Sequence, residues 1–132
     1  MLKILVALPP ALFIVMVAQE PAPAPVVPAE AAAVVSPVKP SPESLAHAKH
    51  LYAIDCAICH GEKGDGKGDV VQDLKLKMKD FTDPSVLKTR TDGELFYIIK
   101  NGDSVQKMPP EGPRAKDDDI WALVNYLRTL QM

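Results

Sequence analysis

The sequence predicts an all-α fold, and three observations carry that prediction. Near the C-terminus Ile120, Leu123, Val124 and Leu127 recur at i, i+3, i+4 and i+7, the spacing of one helix face. Upstream, Thr91-Asp92-Gly93-Glu94 has the layout of a helix-capping box, with Leu95, Ile98 and Ile99 on one face behind it and Gly102 just beyond. No segment alternates apolar and polar residues for long enough to make a half-buried strand.

Taken in chain order, the first element lies outside the fold. Met1-Leu2-Lys3 precedes an apolar run from Ile4 to Ala18 that Pro9-Pro10 interrupts. One positive charge followed by a short apolar stretch is the layout of a secretory signal, and the run is shorter than the ~20 residues a stable transmembrane helix needs. Residues 1–19 are therefore expected to be a signal peptide or an N-terminal membrane anchor, with the rest of the chain exported in either case. Residues 20–40 turn to Pro, Ala and Val with almost no charge and no aromatics, and seven prolines stand between Pro21 and Pro42. Such a segment predicts an extended, polyproline-like tether.

Residues 41–132 are expected to be the folded domain. Ser41-Pro42-Glu43 starts its first helix with a capping hydroxyl, a proline at the first helical position and an acid near the positive end of the dipole. That helix is expected to run through Leu45, Ala48, Leu51 and Tyr52 toward Cys59 and to stop near Gly61. Gly61-Glu62-Lys63-Gly64-Asp65-Gly66-Lys67-Gly68 follows, a loop able to adopt positive φ and to pass close to a flat ligand. The capped helix at Thr91 comes next, and the last helix starts at Asp117-Asp118-Asp119.

Composition removes several classes. Lys and Arg total 15 against 17 Asp and Glu, net -2, without the basic excess that a binder of nucleic-acid phosphates needs. Two cysteines in 132 residues exclude a disulfide scaffold, and no repeat suggests a solenoid. Aromatics make up only 5%, so the core must be thin or built around something other than side chains.

Cys56-Ala57-Ile58-Cys59-His60 reads C-x-x-C-H, the attachment signature of c-type heme. On a helix end Cys56 and Cys59 stand at i and i+3, so both sulfurs face one side and can add to the two heme vinyl groups. His60 then supplies the proximal iron ligand. Three other readings compete. A tetrahedral zinc site needs further Cys or His donors, for which only His47 and His50 are available. A thioredoxin-like redox pair needs a βαβ context, and a plain disulfide leaves His60 and the glycine loop without a role. Met108, in Lys107-Met108-Pro109-Pro110, is the expected sixth ligand: the prolines restrict its backbone, and a thioether suits heme iron in electron carriers. Met78, between Lys77 and Lys79, is the rival, and His47 and His50 are expected on the exposed face of the first helix.

With these residues in hand, the stretch from Ala48 to Leu130 resembles a class I monoheme cytochrome c. The resemblance rests on Cys56 to Gly61, Gly64 to Gly68, Asp80-Phe81-Thr82, Arg90 to Phe96, Asn101-Gly102, Met108-Pro109-Pro110 and Ile120 to Leu127. It implies a small helical domain wrapped around one covalent heme c, its iron held by His60 and Met108, with the first and last helices crossing at Ala48 and Tyr126. The family tends to carry a proline soon after the glycine loop, near the carbonyl that holds the proximal histidine. Gly68-Asp69-Val70-Val71 stands there instead and leaves that carbonyl unassigned. With both axial positions filled, the expected function is one-electron transfer and not enzymatic substrate activation. The resemblance implies a monomeric carrier, periplasmic or otherwise exported, between a quinol-oxidising complex and a terminal oxidase or reductase. A heme enzyme or gas or peroxide sensor with a labile sixth ligand, and a heme subunit of a larger oxidoreductase, are the alternatives. Lys75, Lys77 and Lys79 are expected to form a solvated loop.

Overall fold

The computed structural model describes residues 25–131, so the leader 1–19 lies outside the described residues. Six helices follow in order: α1 (Ala29–Ala32), α2 (Pro42–Asp55), α3 (Ala57–His60), α4 (Pro84–Lys88), α5 (Asp92–Asn101) and α6 (Asp117–Thr129). The described residues contain no strand, only one isolated antiparallel bridge between Asp103 and Met108.

Local chemistry sets most of the boundaries. The Ser41 side chain accepts from the Ser44 backbone N–H at 3.1 Å, and Pro42 opens α2. Thr91 and Glu94 close the expected capping box on α5, at 3.1 and 2.7 Å. A short helix that periodicity does not reveal, α4, begins at Asp83-Pro84, with the Asp83 carboxylate capping the Ser85 N–H at 2.8 Å. Three aspartates fill the first turn of α6, where the helix dipole favours negative charge.

The core lies where α2 and α5 pack on α6. Ile120, Val124 and Ala48 are completely buried, and Tyr52, Leu123, Leu95, Ile99 and Leu127 surround them. The α2–α6 pairing is the most extensive between elements, with Ala48 and Tyr126 both buried in the shared core. Tyr52 and Tyr126 meet at 5.3 Å between ring centroids, and Phe96 stacks on Trp121 at 4.1 Å. Arg128 fastens α6 to the chain around α5. Its guanidinium donates to Asp92 Oδ1 (2.7 and 3.0 Å), the Leu87 carbonyl (2.8 Å) and the Arg90 carbonyl (2.7 Å).

The N-terminal segment departs from the expected tether. Instead of running free to Pro40, the chain forms α1 and lies against α5. Thr91 Oγ1 donates to the Ala32 carbonyl at 2.7 Å, and Asn125 Nδ2 donates to the Val38 carbonyl at 2.9 Å. Gly93 permits the approach, because a Cβ there would strike the carbonyl oxygens of Ala31, Ala32 and Val34. The alanines supply helix propensity and the carbonyls find donors, so residues 29–38 form a strap on the domain. The extended-spacer reading omits these long-range hydrogen bonds, which the segment's own composition does not encode.

Candidate functional site

The C-x-x-C-H segment sits where α2 gives way to α3. The sequence predicts one helix through to Cys59, whereas the structure breaks it at Cys56, whose φ of -111° departs from helical values. The hydrogen-bond path nonetheless continues. Cys56 N–H donates to Tyr52 O at 2.9 Å, His60 N–H to Cys56 O at 2.9 Å and Gly61 N–H to Ala57 O at 2.8 Å. Cys59 N–H also reaches Cys56 O at 3.2 Å, so the turn tightens toward i→i+3 geometry. Both cysteines are free and half-buried. Burial, with the Glu111 and Asp55 carboxylates nearby, pushes the Cys56 thiol up to about 12 against the weaker opposing pull of Arg114.

His60 is held from several directions. Its ring stacks on Phe81 with centroids 4.9 Å apart and planes 22° off parallel. Burial pushes the imidazole down to about 4, which leaves it neutral, the form that ligates metal. Its Nδ1 is buried without a hydrogen-bond partner, a costly arrangement in an apolar setting. The His60 carbonyl accepts from Gly66 N–H at 2.8 Å, and the buried Tyr52 hydroxyl donates to the next carbonyl, Gly61 O, at 2.9 Å. Phe81 N–H in turn donates to Gly64 O at 2.7 Å and draws the aromatic ring over the loop. Gly61, Gly64 and Gly66 adopt positive φ, as the sequence leads one to expect. Gly68 is needed for space, since a Cβ would collide with the Ile58 carbonyl between the two cysteines.

Met108 lies on the segment between α5 and α6. It is half-buried, packs against the core cluster and pairs with Asp103 through two backbone hydrogen bonds of 2.9 and 2.8 Å. Lys107, at φ 61°, turns the chain into it. Met78 is also half-buried, but it lies beside Gly66 in the glycine-loop region and is not among the side chains packed on the core. Its neighbours Lys75, Lys77 and Lys79 are exposed. His47 and His50 are exposed on α2, and His47 Nε2 contacts Asp119 Oδ1 at 2.9 Å.

These residues fit a covalent heme and fit zinc poorly. Two thiols sit at i, i+3 spacing, a half-buried neutral imidazole follows them, and a thioether packs on the core. Among the described residues no cluster of three or more His, Cys, Asp and Glu side chains forms a tetrahedral donor set. Three features of the site are not legible as site features in the sequence: the Phe81 stack, the Tyr52 hydroxyl and a buried Glu111 beside Arg114. Tyr52 stands eight residues before His60, about two helical turns, which was the one available signal for it.

Residues 43–127 match the family described as cytochrome C oxidase, cbb3-type, subunit III, well over half of the chain. The chain belongs to this family. Membership accounts for the C-x-x-C-H segment and brings with it a covalently bound heme c and its iron. A curated relative, the cbb3-type cytochrome c oxidase subunit FixP of Azorhizobium caulinodans, is 35% identical over 80 residues. That alignment takes in 61% of this chain and 25% of the relative, so the subunit III-type domain here corresponds to about a quarter of FixP. Two solved structures share the fold. The KustC0563 c-type cytochrome aligns with a TM-score of 0.57 and 24% identity, over 64% of this chain and 98% of its own. A chain of the Kuenenia stuttgartiensis reducing HAO-like protein complex Kustc0457/Kustc0458 aligns with a TM-score of 0.63 and 23% identity, over 73% of this chain and 47% of its own. The family is thus a c-type cytochrome on both sequence and fold, as the residues from Ala48 to Leu130 suggest.

Proposed function

We propose that this chain carries single electrons, with Cys56 and Cys59 holding heme c through thioethers and His60 and Met108 as the axial iron ligands. The observation that carries the reading is His60: a half-buried, neutral imidazole directly after two half-buried thiols, stacked on Phe81 and with a buried Nδ1 left unpaired. The bound heme supplies a one-electron couple at its iron. The protein's part is to bind, orient and shield. Phe81 fixes the plane of the imidazole, and the Tyr52 hydroxyl, through Gly61, holds the turn that follows it. The unpaired Nδ1 is the atom through which a second-sphere acceptor would set ligand basicity. Met108 offers a neutral thioether, which favours reduced iron relative to an imidazole and keeps the potential comparatively high. With His60 and Met108 both holding the iron, no coordination position would be left for a substrate, and the chemistry would be electron transfer and not catalysis at the metal.

The partners follow the family. We place the domain in an exported compartment, taking electrons from a quinol-oxidising complex and delivering them to a terminal oxidase or reductase. The family description and FixP's name both favour an oxidase. They also support a second reading, in which this chain is a heme-bearing subunit bound permanently to such an oxidase. No helix among the described residues is long and apolar enough to cross a membrane, and residues 1–19 are the proposed attachment. Gel filtration of the exported form separates the two readings: a monomer supports the carrier, and stable copurification with an oxidase supports the subunit. The attachment itself is tested by a pyridine hemochrome spectrum on protein exported with heme-attachment machinery. The thioether-linked form is expected, and a spectrum with intact vinyl groups would overturn the assignment of Cys56 and Cys59.

A further inference from the structure

Beyond Met108 the chain does something its sequence does not advertise. After Pro109-Pro110, Glu111 N–H donates to the Ile99 carbonyl at 2.9 Å and Gly112 N–H to the Lys100 carbonyl at 3.0 Å, which pins this segment to the end of α5. The Glu111 side chain turns inward and keeps only 9% of its surface exposed. A carboxylate taken out of water is costly unless paired and hydrogen-bonded. Arg114 provides the pair as a fork, Nε to Oε1 at 3.2 Å and Nη2 to Oε2 at 2.6 Å. The same Nη2 lies 3.9 Å from Asp55 Oδ1, at the last residue of α2 and next to Cys56.

A single guanidinium therefore touches both ends of the site. It holds the segment that follows Met108, and it reaches the residue that precedes the first cysteine. An ordinary surface ion pair contributes little, since water screens it and two mobile side chains must be ordered. This one differs because the acceptor is buried, the contact is bidentate, and Pro109 and Pro110 transmit the position of Glu111 to Met108 with few soft dihedrals between them.

We infer that Arg114 is a positioning residue for Met108: its fork on Glu111 and its reach to Asp55 lock the Met108 segment onto the Cys56 end of α2. The inference rests on the reading of Met108 as an axial ligand, and its test keeps the two separable. Met108 also packs on the shared core, but the segment's backbone hydrogen bonds, the Asp103–Met108 bridge and the two contacts to α5, do not reach α2. Losing the fork would leave the loop folded but free to shift relative to the attachment helix.

The test is imidazole displacement of the sixth ligand in the ferric holoprotein, followed through the weak sulfur-to-iron charge-transfer band. Wild type, Arg114→Gln, Arg114→Lys, Arg128→Gln and Met108→Ala are compared well below their melting temperatures. Arg114→Gln should bind imidazole about tenfold more tightly or better, because a buried carboxylate loses its fork and the ligand segment loosens. Arg114→Lys, which keeps the charge without the bidentate geometry, should fall between wild type and the Gln variant. Arg128→Gln removes another structural arginine, whose partners are Asp92, Leu87 and Arg90, and should lower the melting temperature without changing imidazole affinity. Equal shifts in Arg114→Gln and Arg128→Gln, or none in Arg114→Gln, would overturn the positioning role. If Arg114→Gln does not assemble, the Lys variant decides alone, and wild-type affinity there overturns the proposal. Met108→Ala is the check on the underlying reading. If it keeps the band, Met108 is not the ligand; if it loses the band while the Arg114 variants behave as wild type, only the latch is wrong.

Discussion

The two walls of the proposed site are built on different plans. The His60 wall is assembled from sequence-local parts: the cysteines, the histidine and the glycine loop follow one another directly, and only Phe81 and Tyr52 come from slightly farther away. The Met108 wall is assembled from distant parts, with α5 supplying carbonyls to Glu111 and Gly112, Asp103 pairing with Met108, and Arg114 reaching across to Asp55. A local wall is fixed by its own turn geometry, whereas a distributed wall depends on tertiary packing for its position. Substitutions on the His60 side are therefore expected to act on attachment and ring orientation, and those on the Met108 side on ligation and potential.

The largest expected effect breaks the local wall outright. Replacing both Cys56 and Cys59 with Ser should leave heme fully extractable by acid-acetone, while either single replacement should leave it held by one thioether, as mass spectrometry of the intact protein would show. Retention of covalent heme in the double variant would contradict the assignment. The distributed wall comes next. Met108→Ala should abolish the sulfur-to-ferric-iron band, lower the reduction potential and admit exogenous ligands, whereas Met78→Ala should leave the band in place. The reverse outcome would move the sixth ligand to Met78.

This contrast also explains what the sequence discloses. The Thr91–Glu94 capping box and the α6 periodicity are short-range signals that appear in the structure where they are read, whereas the helix expected to carry the C-x-x-C-H segment breaks at Cys56. Helix α4 announces itself only through Asp83-Pro84, a cap too short to carry a periodic face. The strap at residues 29–38 is invisible because its partners lie more than fifty residues away: Thr91 and Asn125 bind backbone carbonyls and Gly93 leaves them room, with no matching side-chain pattern. Glu111 fails for a related reason. An acid after two prolines reads as surface, and only the fold shows that Arg114 lets it turn inward. Met108 lies between these cases, since its prolines flag it but nothing local shows what holds the loop.

Smaller effects sharpen the comparison. Phe81→Ala should destabilise the holoprotein by about 3 kcal/mol or somewhat less, given that the ring is only half-buried. It should also change the anisotropy of the ferric electron paramagnetic resonance signal, because the imidazole loses the face against which it is stacked. An unchanged signal would remove Phe81 from the orienting role. Gly93→Ala should leave every heme signal in place and lower stability by about 1–3 kcal/mol, with the strap becoming sensitive to limited proteolysis. Resistance to cleavage would show that the strap tolerates a Cβ there.

The smallest effect is a pH dependence at the cap of α5. The Thr91 backbone N–H, together with Arg90, holds the Glu94 carboxyl below its ordinary value. A group depressed on folding adds stability above its unfolded value and loses it as the pH falls through the folded one. The holoprotein should therefore exceed Glu94→Gln in stability by about 0.5–1 kcal/mol near neutrality, and the difference should vanish as the pH falls through and below the ordinary glutamate range. A gap that persists in acid would assign the effect to packing and not to charge.

The central claim is one-electron transfer at an iron whose axial positions are filled by His60 and Met108. A potentiometric titration of the exported holoprotein, followed across the visible spectrum and at the sulfur-to-iron band, tests it most directly. The account predicts a single one-electron wave, low-spin iron in both oxidation states, and the sulfur band present throughout the ferric form. A high-spin ferric spectrum at neutral pH, with rapid binding of cyanide or peroxide, would contradict it and place a substrate or sensor ligand where Met108 is assigned.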